Sequence, residues 1–160
     1  MKPLWSLVLG WLPATLLAAD YHADSQGGDD ARDGLTPQNA WRTIERVNEA
    51  VLKPGDRVLF HAGGVWSGQL HVTARGEPGR PIVFQAFGTG ARPRIDTAGK
   101  FEDAVLIRNA DNLEVRDFEL TNRGEGDRPR RGVNIVADNC GTLSHIVVAG
   151  LFIHDVNGTQ

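Results

Sequence analysis

Several groups of side chains in this sequence have the types and spacing for chemistry. His154-Asp155 lies 33 residues after Thr121-Asn122. Residues one repeat apart in stacked strands sit about 4.8 Å from each other, so this spacing stacks Thr121 under His154 and Asn122 under Asp155. As a base and a cation ligand on one face, His154 and Asp155 would suit a uronate, whose carboxylate must be neutralised before its α-proton is removed. The same residues also read as a polar ladder at a turn, where Asn and Asp side chains bond the backbone.

The loop Thr121 to Arg131 holds Arg123, Arg128, Arg130 and Arg131 together with Glu125 and Asp127. It reads either as a basic rim that pairs bidentately with uronate or sulfate groups, or as a solvated loop whose charges compensate one another. Asp24, Asp29, Asp30 and Asp33 could supply oxygens to Ca2+, which takes about six to eight of them. They lack the acidic residue that closes an EF-hand loop, and turn and cap roles explain them as well. His22, His61, His71 and His145 show no HExxH-like spacing, and the single cysteine, Cys140, has no patterned base, so no zinc site is expected. Gly88-Thr89-Gly90 and Gly124-Glu125-Gly126 lack the flanks of nucleotide loops, and there is no serine nucleophile elbow.

Strands must position these groups. Nineteen glycines in 160 residues exceed the usual ~7% and favour turns and strands over helices. Short alternating runs cover Arg57 to His61, Gln69 to Val72, Ile82 to Ala86, Val105 to Ile107, Leu113 to Val115, Phe118 to Leu120, Val133 to Ile135, Ile146 to Val148 and Leu151 to Ile153. A 33-residue shift lays Leu113, Val115, Phe118 and Leu120 on Ile146, Val148, Leu151 and Ile153; a 28-residue shift lays Val105 and Ile107 on Val133 and Ile135. Strands this short cannot bury their own apolar face and must stack on the next unit. A β-sandwich would need longer antiparallel strands and hairpin turns. One helix is expected from Pro37 to Leu52, with Thr36 as N-cap, a stripe of Trp41, Ile44, Val47 and Val51, and a stop at Lys53-Pro54-Gly55. The expected fold is an all-β, right-handed parallel β-helix with that α-helix as its N-terminal cap, truncated at the C-terminus.

Residues 1–19 read as a secretory signal peptide: Lys2, an apolar stretch from Leu4 to Leu17, and Ala18-Ala19 before Asp20. The stretch is too short, and too broken by Gly10 and Pro13, for a membrane anchor. Residues 20–55 then form the turn segment and capping helix, and 56–160 the first four or so coils. A net charge of −3 gives no support for a nucleic-acid or polybasic membrane binder. Secretion or export to a periplasm is expected.

Gly28-Asp29-Asp30 with Asp33-Gly34, Thr36-Pro37 through Trp41-Arg42-Thr43-Ile44, Leu52 through Val58 and Gly63-Gly64-Val65-Trp66 resemble the entry segment of parallel β-helix proteins of the pectate-lyase-like superfamily. Gly76-Glu77-Pro78-Gly79-Arg80-Pro81-Ile82 is similar to a second-rung segment of polysaccharide lyases of the alginate-lyase and chondroitinase-B type. Ile153 to Gly158 resembles a common rung ending. The resemblance implies a polysaccharide partner of acidic type, a monomer when full length, and a lyase whose catalytic Lys, Arg and metal-ligand carboxylates lie on coils beyond these. A glycoside hydrolase stays open as the other enzyme, and a non-catalytic glycan-binding or adhesive protein is the alternative.

Overall fold

The computed structural model describes residues 17–158. Most of the expected leader, residues 1–16, lies outside the described residues. No helix among the described residues is long and apolar enough to cross a membrane. Ala19 is already tied into the fold: its N–H donates to Asp56 at 2.8 Å and its carbonyl accepts from Arg57 N.

The strands are β1 (Asp20–Ala23), β2 (Arg57–His61), β3 (Val65–Ser67), β4 (Leu70–Val72), β5 (Ile82–Phe87) and β6 (Arg94–Asp96), then β7 (Asp103–Arg108), β8 (Leu113–Arg116), β9 (Glu119–Asn122), β10 (Arg131–Val136), β11 (Ile146–Ala149) and β12 (Phe152–Val156). They form three sheets, in the orders β1-β2-β5-β8-β11, β3-β6-β9-β12 and β4-β7-β10, and every pairing is parallel.

Register follows the apolar pattern. Ile146 pairs with Leu113 and Val148 with Val115, while Val133 pairs with Val105 and Ile135 with Ile107. Inward rows result, such as Val58, Phe84 and Val115 in the first sheet and Trp66, Ile95 and Leu120 in the second, all at most 2% exposed. Each such side chain contributes roughly 1.5–3 kcal/mol on burial. In the last layer the corresponding Val148, Ile153 and Ile135 are exposed.

Between sheets the chain turns through left-handed residues that recur at the same interval: Asn112 and His145, then Asp117 and Gly150, all with φ between 49° and 65°. A side chain on Gly150 would collide with the Asp117 carboxylate below it, so glycine is required where the two corners stack.

Several expectations change. Strands β1, β3 and β6 were not foreseen: β3 and β6 each bury a single large apolar residue, Trp66 or Ile95, which is too little for alternation to register. The α-helix is not the expected cap. Residues Pro37–Asn39 form one 3-10 turn, and α1 covers only Ile44–Asn48. Between them Trp41 N–H donates to His22 O, and Arg42 and Thr43 N–H donate to Asp30 Oδ1, so the N–H groups a continuous helix would use are already taken. Val51, expected on the apolar stripe, is 86% exposed. The described residues therefore show three parallel sheets and a five-residue helix, not a closed parallel β-helix capped by an N-terminal α-helix.

Trp41 is the keystone of this N-terminal region. It is 1% exposed, stacks on Tyr21 at 4.9 Å and lies under the Arg46 guanidinium at 4.4 Å; its indole N–H reaches Arg32 O at 3.0 Å. Gly34, at φ 77°, lies against the indole, where a Cβ would come within 2.5 Å of Cε2. Trp41→Ala is expected to cost about 3–5 kcal/mol by denaturant unfolding; an unchanged midpoint would refute this role.

Candidate functional site

Strands β3, β6, β9 and β12 send alternate side chains outward. Pairing of Ser67 with Asp96, Asp96 with Thr121 and Thr121 with His154 lines these residues up as one outward row. Beside it, Val65 pairs with Arg94, Arg94 with Glu119 and Glu119 with Phe152. A groove of about 300 Å³ opens over the rows, lined by Arg94, Asp96, Thr121, Arg123, His154 and Asp155.

Its polar groups are interlocked. His154 Nε2 faces Glu119 Oε1 at 3.0 Å and its Nδ1 faces Asp155 Oδ2 at 3.0 Å. Both ring nitrogens meet carboxylate oxygens, a geometry that only the doubly protonated imidazolium fully satisfies. Glu119 first, and Asp155 second, hold the His154 pKa above its ordinary 6.5. Arg94 reaches Glu119 at 3.5 Å, and Arg123 reaches Asp155 at 3.5 Å. Asp96 Oδ1 accepts from Ala98 N at 2.8 Å, fixing that carboxylate at the groove wall. Thr121 Oγ1 and Arg94 Nε are buried and without a partner among the described residues.

Of the residues singled out in the sequence, His154, Asp155 and Arg123 meet in this groove. The expected stacking of Asn122 under Asp155 gives way to a bulge: Val156 takes the place opposite Asn122, and Asp155 adopts φ 49°. Asn122 is wholly buried, where its amide donates to the carbonyls of Phe101, Glu102 and Arg131. The other arginines go elsewhere. Arg130 is 5% exposed and donates to Gly126 O and Glu125 O; Arg131 pairs with Asp103 and Glu102 beside the third sheet; Arg128 is exposed.

The four candidate calcium ligands hold turns. Asp24, Asp29 and Asp33 each accept a backbone N–H two residues on, and Asp30 accepts from Arg42, Thr43 N and Thr43 Oγ1. Burial pushes the Asp30 pKa up, but the hydrogen bonds from Thr43 and Arg42 outweigh it and leave the carboxyl below its usual value. Among the described residues no three His, Cys, Asp or Glu side chains converge so as to hold a metal ion.

Sequence reasoning missed Arg94 and Asp96 of the groove, and Glu119, the carboxylate that pairs with Arg94 and His154. Their one signal is the alternation Arg94-Ile95-Asp96, which matches Glu119-Leu120-Thr121 at a shift of 25.

No protein-family model matches this chain. It is 25% identical over 191 residues to a lacto-N-biosidase of Bifidobacterium longum subsp. longum, an alignment covering 86% of this chain and 12% of that protein. It is 30% identical over 109 residues to alpha-1,3-galactosidase A of Akkermansia muciniphila, covering 59% of this chain and 18% of the other. The crystal structure of a GH136 lacto-N-biosidase from Eubacterium ramulus matches with a TM-score of 0.81 at 32% identity, covering 86% of this chain and 27% of that one. The chain thus spans about a quarter or less of the length of these proteins. These likenesses overturn the expected assignment to the pectate-lyase-like superfamily and to the lyases: the matched proteins are glycosidases. The turn and register residues on which the lyase resemblance rested govern how strands stack, and stacking does not specify a reaction.

The His154 clamp has a pH signature. Because the folded pKa is raised, its contribution to stability is full below the unfolded value of about 6.5 and is lost as pH rises through the folded value. NMR titration of His154 should give a pKa above 6.5, and Glu119→Gln should lower it. An identical titration in that variant would refute the clamp.

Proposed function

We propose that this protein is part of a glycoside hydrolase, and that the groove on the β3-β6-β9-β12 sheet holds a neutral glycan. The observation that carries the reading is the groove's matched charge. Arg94 faces Glu119, Arg123 faces Asp155, and His154 bridges the two carboxylates. Carboxylates accept hydrogen bonds from sugar hydroxyls, and guanidinium groups donate to hydroxyl and ring oxygens. A uronate would instead require an uncompensated cation, and each groove arginine already has a carboxylate. The glycosidases resembled by this chain support hydrolysis of the glycan, and the leader-like residues 1–19 support action outside the cytoplasm.

In this reading Glu119 and Asp155 bind and orient the glycan rather than break the bond. A general acid has to carry a proton to the leaving oxygen, whereas Glu119 and Asp155 are each engaged by two basic side chains. The free faces of Asp96, Thr121 and Arg94 are suited to a sugar.

The test is hydrolysis of neutral galactosides by the full-length protein carrying Asp96→Asn or Asp155→Asn. Loss of one charge-assisted hydrogen bond should raise KM roughly tenfold with little change in kcat. Products should carry new reducing ends without unsaturated uronate. Unaltered kinetics in both variants, or cleavage confined to acidic glycans with unsaturated products, would overturn the reading.

A further inference from the structure

A second cavity, of about 200 Å³, lies at the free edge of the same sheet. Its walls include Arg42, Thr43 and Glu45 at the start of α1, and Val65, Trp66 and Ser67 of β3. It adjoins the first groove through register: Ser67 lines the one and Asp96 lines the other, and the two residues are partners on neighbouring strands. The outward row Ser67, Asp96, Thr121, His154 therefore runs from one cavity into the other, over roughly 14 Å at about 4.8 Å per strand.

The chemistry of the two cavities is alike. Each brings arginine and carboxylate side chains to one opening, Arg42 with Glu45 here and Arg94 or Arg123 with Asp96 and Asp155 in the first. The first groove is lined as well by Thr121, 7% exposed, whose Oγ1 has no partner among the described residues. At the strand edge Val65 N–H donates to Ser25 Oγ at 3.0 Å. The side chains of Ser67, Glu45 and Arg42 bring hydroxyl, carboxylate and guanidinium groups to the cavity, which suits a polyhydroxylated ligand.

We propose that this cavity is a second sugar-binding subsite, and that the groove's occupant is a neutral oligosaccharide lying across the strands from His154 to Glu45. The proposal rests on the neutral-glycan reading of the first groove and adds to it the length and direction of the ligand.

The experiment compares galactose-terminated disaccharides and tetrasaccharides on the full-length protein by isothermal titration calorimetry. The wild type should favour the tetrasaccharide by roughly tenfold, the weight of one further charge-assisted hydrogen bond. Glu45→Ala and Ser67→Trp should collapse that preference towards equal affinity. Asp96→Asn should weaken both ligands together and preserve their ratio. Glu45 is exposed, so its variant keeps the test available should the bulkier Ser67→Trp fail to fold. A preference equal to that of the wild type in a folded Glu45→Ala variant, or no length preference in the wild type, would overturn the second subsite and leave the first groove standing. Absence of binding to either galactoside by the wild type would instead overturn the groove reading itself, and this proposal with it.

Discussion

Parallel hydrogen bonding between each strand and the one a layer before it is the constraint on which everything else here depends. It fixes one residue of each strand against one residue of its neighbour, so the inward row Trp66, Ile95, Leu120 and Ile153 cannot be placed without also placing the outward rows on either side. A slip of one residue would turn Ile95 or Leu120 out to water and bring Arg94 or Glu119 into the core. The apolar cost of such a slip is thus what holds the polar groove in register. Packing and recognition are two sides of the same strands.

Local departures from the ladder do the remaining positioning. At Asp155 the register shifts, so this residue leaves the pairing and its carboxylate meets both His154 and Arg123. Asn122, next to the outward Thr121, turns inward. There it accepts the Thr97 hydroxyl and donates to three carbonyls, tying down the ends of the loop that carries Arg123. The loop is fastened again where Asn157 exchanges hydrogen bonds with Gly124. Arg123 itself is 74% exposed, yet its base is held from both sides.

What was legible in the sequence follows from how many residues voted for each element. The pairs β8 with β11 and β7 with β10 are announced by several apolar residues recurring at 33 and 28, and these intervals match the observed registers. Strands β3 and β6 were invisible because one inward residue makes no pattern, and with them went Arg94 and Asp96, part of the groove. The helix was over-read for the opposite reason. Trp41, Ile44 and Val47 do recur at helical spacing, but Asp30, a dozen residues earlier, captures the N–H groups of Arg42 and Thr43. A tertiary acceptor overrode a local period. The reaction class was misread because Pro54-Gly55-Asp56 and the rung endings report on stacking alone.

The groove's ion pairs remain to be accounted for. Exposed pairs of this kind contribute little to stability, typically about 0–1 kcal/mol each, so stability is a weak reason for linking Arg94, Glu119, His154, Asp155 and Arg123 along one face. Their effect is on entropy and direction. A carboxylate held by two basic neighbours has few orientations left to lose when a ligand arrives, and the ordering cost of binding falls accordingly. Because opposite charges are already matched, such a face offers a ligand hydrogen bonds of fixed number and direction rather than net charge. That is the physical ground on which we propose a neutral polyhydroxylated chain, with a donor or acceptor at nearly every carbon, as the ligand.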